Sequence, residues 1–461
     1  MKCITIKKGL DLLILGEPNQ DDAPERKEVR HVAITGPDYV GMKPTILVEP
    51  GEKVLAGQPL LEDKKTPGVK FTSPAAGTVV KVVRGEKRAF RSIIVETADG
   101  EAAKESVAFE KFERGALSEL SPEKVREQLI RSGLWTALRT RPFSRSPRID
   151  SVPVALFVNA ADTNPHAPNP KLIIDADRDT FLDGLRILSK ICGQKMWVCF
   201  GKGDYDDAFI RDVEAIPSAE AVQFLGKHPS GLTGTHIATL EPCALNHVVW
   251  SIGYQDVIAV GKLFTEGLYP SERTVALAGP EVRNPRLLRV TQGAFVTELV
   301  EGELRKGESR VISGSVLCGR TVEEGQEGLG RFVNQISVIG DGDPRALFGW
   351  TSPDFQKFSM ARTVAYHWFF RHLPVKMNTA QCGGKRAVFP NRLFRKVMPL
   401  DILPSFLFKA LEAGDLERSE RLGAFELDEE DVALCTLVDL GKNDYGASLR
   451  ALLDKAMKEE E

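Results

Sequence analysis

The sequence lacks the cysteine spacings that hold zinc ions or iron–sulfur clusters. Its seven cysteines are scattered along the chain, and none of them forms a C-x-x-C pair. Zinc and iron–sulfur sites need grouped cysteine or histidine ligands. An odd number of separated cysteines is typical of a reducing compartment. We therefore expect buried free thiols and no metal site.

Long apolar runs and a strong charge of one sign are also missing. No stretch approaches the ~20 apolar residues of a membrane-spanning helix, and the start of the chain has too brief an apolar patch for a secretory signal. A formal net charge of −3 gives no electrostatic basis for nucleic-acid binding. We expect a soluble chain, free or peripheral to a larger assembly, and its 461 residues predict three or four domains.

Residues 29–96 alternate apolar and polar side chains with the period of two that is typical of strands. The phrases PGEKVLAGQPL and SPAAGTVV occur in barrel-sandwich domains that carry biotin or lipoate on a hairpin lysine. The matching turn here contains Lys64 and Lys65, followed by three extra residues, 66–68. Two interpretations stay open: a modified carrier lysine, or a solvated lysine on a scaffold that carries nothing.

Strand and helix patterns alternate in the next part of the chain. Ser121 precedes Pro122 as the cap of a helix, and a second helix is predicted over residues 177–192. The continuous apolar run PVALFVNAA is typical of a strand buried on both faces of a parallel sheet. KMWVCF and AVQFLG predict two further strands. This rhythm predicts an open, Rossmann-like α/β domain.

Two loops of this domain are candidate ligand sites. CFGKGD is either a glycine turn that approaches a phosphate or an ordinary strand-to-helix turn, because a lone G-x-G is a weak signal. RTRPFSRSPR is either an anion site or a solvated basic loop. It groups Arg139, Arg141, Arg145 and Arg148 around Phe143.

The remainder of the chain is first β-rich and then helical. DVIAVGKLFTEG, RTVALAG, RLLRVTQG, ESRVISG and SVLCG predict short strands of a β-grasp domain. The aromatic cluster YHWFF, residues 366–370, either packs in a core or faces a partner. We predict a multidomain α/β protein with four parts: a barrel-sandwich hybrid (1–104), a Rossmann-like α/β domain (105–255), a β-grasp, SLBB-like domain (256–330) and a C-terminal helical domain (331–461).

Two other groups of residues carry reactive side chains. His228, His236 and His247 are spaced too irregularly for a local metal site and are predicted to be ordinary polar residues on loops. Cys382 precedes two glycines that would expose it, but no paired base is identifiable. We predict no catalytic or metal-binding residue.

Several longer phrases resemble the A subunit of the sodium-translocating NADH:quinone reductase over essentially the whole chain. They are KKGLDLLILGEP, DYVGMKPTILVEPG, LEDKKTPGVKFTSPAAG, LWTALRTRPFSRSP and FVNAADTNP. The resemblance implies a bacterial respiratory complex of six subunits that passes electrons from NADH to ubiquinone and exports sodium. It implies a peripheral component on the cytoplasmic face of the inner membrane, with five other subunits for partners, some of them integral to the membrane. Catalysis is then a property of the complex, and the isolated chain is not expected to be catalytic.

A more distant resemblance concerns the flavoprotein subunit of respiratory complex I and the C subunit of the Rnf complex. Those relatives bind flavin and NADH with a glycine-rich loop and an acidic turn. Here residues 141–143 and 162–164 stand at those places, and of the relatives' cysteine-rich motif only Cys435 remains. The resemblance implies that flavins, iron–sulfur centres and the NADH site belong to other subunits. This chain is then left with no tightly bound cofactor and with a relic pocket.

We predict that this pocket or its rim contacts ubiquinone. A quinone ring needs an aromatic or apolar slot and donors to its carbonyl oxygens. The candidate residues are Tyr39, Met42, Arg139, Arg141 and Phe143. Two alternatives stay open: a structural scaffold whose membrane partners bind the quinone, and a stand-alone carrier or flavoenzyme.

Overall fold

A computed structural model gives the fold of the protein and describes residues 1–342, 369, 372–381 and 383–460. The strands of this part are β1 (Lys2–Ile6), β2 (Glu25–Arg26), β3 (His31–Thr35), β4 (Pro44–Ile46), β5 (Lys53–Val54), β6 (Pro59–Asp63), β7 (Lys70–Thr72), β8 (Gly77–Arg84), β9 (Phe90–Thr97), β10 (Arg139–Arg141), β11 (Ala155–Ala160), β12 (Lys195–Phe200), β13 (Ala219–Gly226), β14 (Val249–Gly253), β15 (Glu272–Ala278), β16 (Arg286–Thr291), β17 (Ser309–Ser313), β18 (Arg320–Thr321) and β19 (Gln335–Gly340).

The helices of the same part begin after the barrel-sandwich. They are α1 (Pro122–Ser132), α2 (Pro170–Ala176), α3 (Arg178–Leu188), α4 (Asp207–Glu214), α5 (Thr233–Leu240), α6 (Tyr254–Glu266), α7 (Val296–Leu299), α8 (Arg392–Val397), α9 (Pro404–Ala413), α10 (Leu416–Arg421), α11 (Glu429–Val438) and α12 (Tyr445–Glu460).

The N-terminal domain consists of two small sheets, β3-β9-β8-β5 and β4-β6-β7. The alternating side chains of the sequence place one face of each sheet in a core that includes Val32, Leu60 and Val95. Strands β6 and β7 form the predicted hairpin, and Lys64 and Lys65 lie exposed in its turn. The barrel-sandwich prediction is confirmed.

A six-stranded sheet in the order β1-β13-β12-β11-β14-β10 forms the α/β domain. All its neighbours pair in parallel except β10, which runs antiparallel to β14 at one edge. Strand β11 is almost fully buried, as its continuous apolar run predicts. The chain passes from β11 to β12 and β13 on one side, whereas β14 lies on the other. The strand order therefore reverses between β11 and β14.

The first strand of the chain joins this α/β sheet, not the barrel-sandwich. β1 pairs in parallel with β13 from Lys2 opposite Val222 to Ile6 opposite Gly226. The predicted boundaries gave residues 1–104 to the barrel-sandwich. An edge strand such as β1 finds its partner through tertiary packing, which its own five residues do not encode.

Helix α6 corrects one of the sequence predictions. The segment DVIAVGKLFTEG was expected to be a strand but lies in α6, which packs against α3. Its β-branched residues favour a strand. The sheet and α3 cover the helix, so its sequence is apolar on most sides and lacks the polar face of a surface helix. Gly267 ends the helix in the left-handed conformation, with φ of +73°.

The β-grasp sheet has the order β18-β17-β19-β15-β16-β2. Strand β19 lies between β17 and β15, beyond the predicted boundary at residue 330, and β2 comes from the N-terminal part of the chain. The segment SVLCG, expected to be a strand, leads as a turn into β18. The remaining predicted strands are confirmed.

Helices α8 to α12 form the C-terminal domain around its own core. Phe394, Phe408 and Tyr445 pack against one another there, with ring centroids of Phe408 and Tyr445 3.9 Å apart. A capping box begins α11: Asp428 is the N-cap, and Asp431 bonds back to its backbone N–H. Among the residues that the structure describes, no helix is long and apolar enough to cross a membrane.

Close packing of α3 on α6 depends on two glycines. A Cβ added to Gly184 would lie 2.1 Å from the carbonyl oxygen of Val257, and one added to Gly261 would lie 2.1 Å from that of Thr180. We expect Gly184→Ala to destabilise the protein by about 1–3 kcal/mol, because the two helices must separate. The midpoint of thermal unfolding measures this effect. Gly115→Ala is the matched control, since its added Cβ would meet nothing within 4 Å, and equal midpoints for the two variants would contradict this packing.

Candidate functional site

A cleft opens where the strand order of the α/β sheet reverses. Its empty volume, including the part open to solvent, is about 680 Å³, and its walls come from three domains. The α/β domain supplies most of the lining, the β-grasp domain the opposite wall, and the C-terminal domain one carboxylate. The lining includes Arg139, Asn159, Asp162, Asn164, Thr233, Ser251, Tyr254, Gln255, Asp256, Arg273, Phe332, Asn334 and Glu430.

Arg139 and Phe332 form the aromatic side of the cleft. The guanidinium carbon of Arg139 lies 4.7 Å from the centroid of the Phe332 ring, within the range of a cation–π contact. The Arg139 side chain is 25% exposed, and it lies 3.8 Å from a carboxylate oxygen of Asp428. Arg139 is therefore fixed on an aromatic surface with part of its guanidinium accessible.

Tyr39 also packs against this phenylalanine. Its ring centroid is 6.1 Å from that of Phe332 and 4.6 Å from that of Phe71. It lines a second, small cavity together with Tyr269 and Arg331. Phe332 thus contacts both Tyr39 and Arg139, but Tyr39 is not among the residues that line the cleft.

The turn after β11 is held by its own polar side chains. The Asn159 amide donates to the Gly231 carbonyl oxygen at 3.2 Å and to the Thr233 hydroxyl at 3.0 Å. Asp162 Oδ1 accepts hydrogen bonds from the backbone and side-chain N–H groups of Asn164, each at 2.9 Å. Burial raises the pKa of Asp162 to about 6, although these bonds act in the opposite direction. The cleft therefore contains a carboxyl that holds its proton in mildly acidic solution.

A buried ion triad joins the α/β domain to the β-grasp domain beside the cleft. Asp256, in the first turn of α6, pairs with Arg273 of β15 and with Arg331, whose Nη2 lies 2.8 Å from Asp256 Oδ1. Burial alone would raise the pKa of Asp256, but the two guanidinium groups hold it below its ordinary value. Asp256 is therefore a permanent anion that fixes two cations.

Two polar atoms in the cleft have no hydrogen-bond partner within the described part of the chain. They are the hydroxyl oxygen of Tyr254, in a residue only 2% exposed, and the side-chain oxygen of Asn164. Buried polar groups are almost always satisfied by protein, water or ligand. Both atoms therefore point to a site that accommodates a polar molecule.

Arg141 lies outside this cleft, in a buried ion cluster with the start of α11. Its side chain is 1% exposed, and its Nη1 donates to Asp431 Oδ2 at 3.0 Å. Its Nη2 lies 3.2 Å from Asp428 Oδ2 and 3.3 Å from Glu430 Oε1. Burial alone would lower the pKa of Arg141, but the surrounding carboxylates raise it above its ordinary value. The α/β domain and the C-terminal helices are joined by this cluster.

Arg450 completes the cluster from α12. Its Nη2 donates to Asp428 Oδ1 at 2.7 Å, and its Nε donates to Glu429 Oε1 at 2.6 Å. Asp428 lies between Arg141 and Arg450, whose charges outweigh its burial and hold its pKa well below the ordinary value. Glu429 has its pKa raised to about 7, chiefly by burial.

Phe143 is inserted into the C-terminal core. The residue is 5% exposed, and its ring centroid lies 5.6 Å from that of Phe425. Phe143 and Ser144 both have left-handed backbones, with φ of +78° and +59°, a conformation that costs free energy in non-glycine residues. The Ser144 hydroxyl donates to Asp428 at 2.6 Å, and Arg450 donates to the Phe143 carbonyl oxygen at 3.1 Å. These contacts hold the loop in its strained form.

The five residues predicted for quinone contact thus occupy four environments. Arg139 lines the cleft, and Tyr39 lines the second cavity and contacts Phe332. Met42 is partly buried against the main core. Arg141 and Phe143 face the C-terminal domain, so RTRPFSRSPR is not a solvated loop as a whole.

Phe332, Arg273 and Glu430 were missed because they come from distant parts of the chain and belong to no local motif. Asp162 did carry a signal, since it follows the apolar strand directly, at the edge where parallel sheets bind ligands.

The glycine turn, the cysteines and the aromatic cluster singled out in the sequence are placed as follows. CFGKGD is a strand-to-helix turn, in which the Gln223 amide donates to the carbonyl oxygens of Gly201 and Gly203. Cys435 is buried, as expected, but Cys3 and Cys318 are exposed. Cys382 lies outside the described residues, as does the 366–370 cluster apart from an exposed Phe369. Within the described ranges, no group of three or more His, Cys, Asp or Glu side chains is placed to hold a metal ion.

His228 lies in a turn, as predicted, whereas His236 differs from the prediction because it lies in a helix, and both side chains are buried. His228 bonds through Nδ1 to the Thr163 hydroxyl, and His236, within α5, bonds through Nε2 to the Ser230 carbonyl oxygen. Burial lowers the pKa of each to about 4, so both are neutral near pH 7.

Comparison with known proteins gives a consistent match along the chain. Residues 4–98 match the family model of the NqrA N-terminal barrel-sandwich hybrid domain, 120–269 that of the NqrA second alpha/beta domain, and 274–324 that of the NQRA C-terminal domain, which is an SLBB domain. Similar curated proteins are the A subunits of the Na(+)-translocating NADH-quinone reductases of Photorhabdus laumondii (48% identical over 459 residues), Actinobacillus succinogenes (48% over 456) and Klebsiella pneumoniae (47% over 458). Each match covers 99% of this chain and 100% of the relative.

Removing the central cation of the ion cluster should loosen the C-terminal domain. We expect Arg141→Leu to cost about 3–5 kcal/mol, because buried carboxylates lose their partner. Limited proteolysis should then release a C-terminal fragment faster than from the unmodified protein. Arg148→Leu is the control, because the Arg148 side chain is 77% exposed and its ion pair with Asp150 lies at the surface. Its loss should lower the free energy of unfolding by less than about 1 kcal/mol. Equal proteolysis rates for the two variants would show that the cluster does not hold the domains together.

Proposed function

The chain belongs to the A-subunit family of the Na(+)-translocating NADH-quinone reductase, and we propose that it acts there at the step that binds and reduces the quinone. The reductase transfers electrons from NADH to a quinone and moves sodium, and this chain is one of its subunits. The observation that carries the proposal is the cleft at the reversal point of the α/β sheet, with Arg139 over Phe332 on its wall.

The position of the cleft supports a ligand site. In open α/β sheets, ligands bind outside the carboxyl ends of the strands, at the point where the strand order reverses. Here Asn159 lies at the carboxyl end of β11 and Asp162 just after it, and Gly253 ends β14 with Tyr254 directly after it. The cleft lies between these two ends.

The chemistry of the cleft suits a quinone ring. A quinone headgroup is flat and neutral and accepts hydrogen bonds at two carbonyl oxygens. Phe332 supplies an aromatic face, and Arg139 and the Tyr254 hydroxyl supply donors. The cleft thus provides both the aromatic surface and the hydrogen-bond donors that a quinone ring needs.

Within the predicted set, we propose direct quinone contact for Arg139. Tyr39 packs against Phe332, and Arg141 and Phe143 act by fixing the C-terminal domain, which brings Glu430 to the cleft. Side chains of residues 141–143 also fill the place where the more distant flavoprotein relatives have glycines. This supports the proposal that no flavin or nicotinamide binds here.

The proposals on location, partner subunits and cofactors rest on the family resemblance. The chain would lie at the cytoplasmic face of the bacterial inner membrane and assemble with five other subunits, including integral-membrane ones. Flavins, iron–sulfur centres and the NADH site would belong to those partners. Ubiquinone would be the only redox ligand of this chain.

Equilibrium binding of a short-chain ubiquinone to the purified full chain tests the proposal. We expect saturable one-to-one binding. Phe332→Ala and Arg139→Ala should each weaken it about tenfold, the loss expected for a contact of about 1.4 kcal/mol. Arg148→Ala should keep the original affinity, because Arg148 is exposed and absent from the cleft lining. The absorption spectrum and intact mass of the same sample would reveal a flavin or a modified lysine.

Two outcomes would contradict the proposal. A chain that binds no quinone would favour the scaffold alternative, with the quinone bound by membrane partners. Binding that neither Phe332→Ala nor Arg139→Ala weakens would place the quinone elsewhere on the chain.

A further inference from the structure

The cleft contains a residue suited to the proton chemistry of quinone reduction. Resting on the proposed function above, we propose that Asp162 donates a proton to a quinone oxygen when the ring is reduced in this cleft. The family relationship assigns no such role to any residue of the chain.

The position of Asp162 is the first support. It lies two residues after the end of β11, at the reversal point of the sheet, and it lines the cleft. Asn164 donates two hydrogen bonds to its Oδ1. The turn is therefore rigid, and the carboxyl is held in one place. The Asn334 side chain also hydrogen-bonds to the carboxyl, and Oδ2, which accepts no bond from Asn164, is the oxygen that carries and delivers the proton in the proposed step.

Few other groups around the cleft can donate a proton near neutral pH. The titratable residues around the cleft are Arg139, Tyr254, Asp256, Arg273, Cys318 and Glu430. The arginines do not release protons near neutral pH. Asp256 is kept ionised by Arg273 and Arg331, and burial raises the pKa of Tyr254 above its ordinary value. Asp162 and Glu430 are therefore the carboxyls of the cleft whose protonation changes near neutral pH.

Asp162 is better suited than Glu430 to lose and regain a proton. Glu430 has a pKa raised to about 7, chiefly by burial, but it accepts a hydrogen bond from Arg141 at 3.3 Å. Protonating Glu430 would weaken the ion cluster that joins two domains. Asp162 forms no ion pair with any described residue, so its protonation state can change without that cost.

The proposed step is balanced in atoms and electrons. The quinone gains two electrons, which the complex takes from NADH, and two protons to become a quinol. One O–H bond breaks at Asp162 Oδ2 as another forms at a quinone oxygen, which leaves a carboxylate. The solvent reprotonates that carboxylate and supplies the second proton of the quinol. Of these two protons, one is returned to the solvent when NADH is oxidised to NAD⁺.

The pH dependence of quinone binding to the full chain tests the inference. A protonated Asp162 donates a hydrogen bond to a quinone oxygen, and its carboxylate cannot. The affinity for a short-chain ubiquinone should therefore fall about tenfold from roughly pH 5 to pH 8. Asp162→Asn should remove that decline, and Glu430→Gln should retain it.

The assembled complex supplies the second readout. Asp162→Asn should lower the kcat of NADH-driven quinone reduction by at least ~100-fold, a typical effect of removing a general acid. Asp162→Glu should restore part of that rate, because it replaces a carboxyl with a carboxyl. A merely structural role would not give this pattern, since asparagine is the closer match in shape.

Stability shows whether the Asp162→Asn variant is folded and whether the pKa of Asp162 is raised. A carboxyl with a raised folded-state pKa contributes stability below its unfolded pKa, and this contribution is lost as pH rises through about 6. The thermal midpoint of Asp162→Asn relative to the unmodified protein should therefore increase from about pH 4 to pH 7.

Three results would overturn the inference. Identical pH dependence of binding in the unmodified protein and Asp162→Asn would exclude the hydrogen bond from Asp162. An unchanged kcat in Asp162→Asn would exclude the proton transfer. Absence of quinone binding at every pH would contradict the proposed function itself, and the inference with it, whereas the first two results leave that function intact.

Discussion

The buried contact of Arg141 with the carboxylates of Asp428, Glu430 and Asp431 is the interaction on which the site depends. It joins the edge of the α/β sheet to the first turn of α11, and Glu430 reaches the cleft because α11 is held there. Beside this contact, hydrogen bonds of Ser144 and Arg450 keep Phe143 in the C-terminal core despite its left-handed backbone. A buried charge without its partner is costly, so the cluster holds the two domains in one arrangement.

Much of the fold was predictable because its patterns are local. The apolar run of β11, the cap at Ser121 and the alternation in the barrel-sandwich each specify an element from neighbouring residues alone. The exceptions have tertiary causes. Helix α6 resembles a strand in sequence, since both the sheet and α3 bury it, and β1 reaches the α/β sheet by pairing with β13, 220 residues away at Cys3 and Gln223.

Less of the candidate site was predictable, because its residues meet only in the folded chain. The basic loop was correctly singled out, and it supplies Arg139 to the cleft. Its sequence could not show that Arg141 is bound by Asp431, which lies 290 residues later. Phe332 has no local motif, yet it contacts two of the predicted residues: it packs against Arg139 in the cleft and against Tyr39, which lines the second cavity.

The most direct test of the central claim is a structure of the protein, alone or within its complex, at saturating short-chain ubiquinone. We expect the quinone ring between Phe332 and Tyr254, with one carbonyl oxygen within hydrogen-bond distance of Arg139 and the other near Asp162. A quinone bound only to other subunits or elsewhere on this chain, with the cleft unchanged, would contradict the claim.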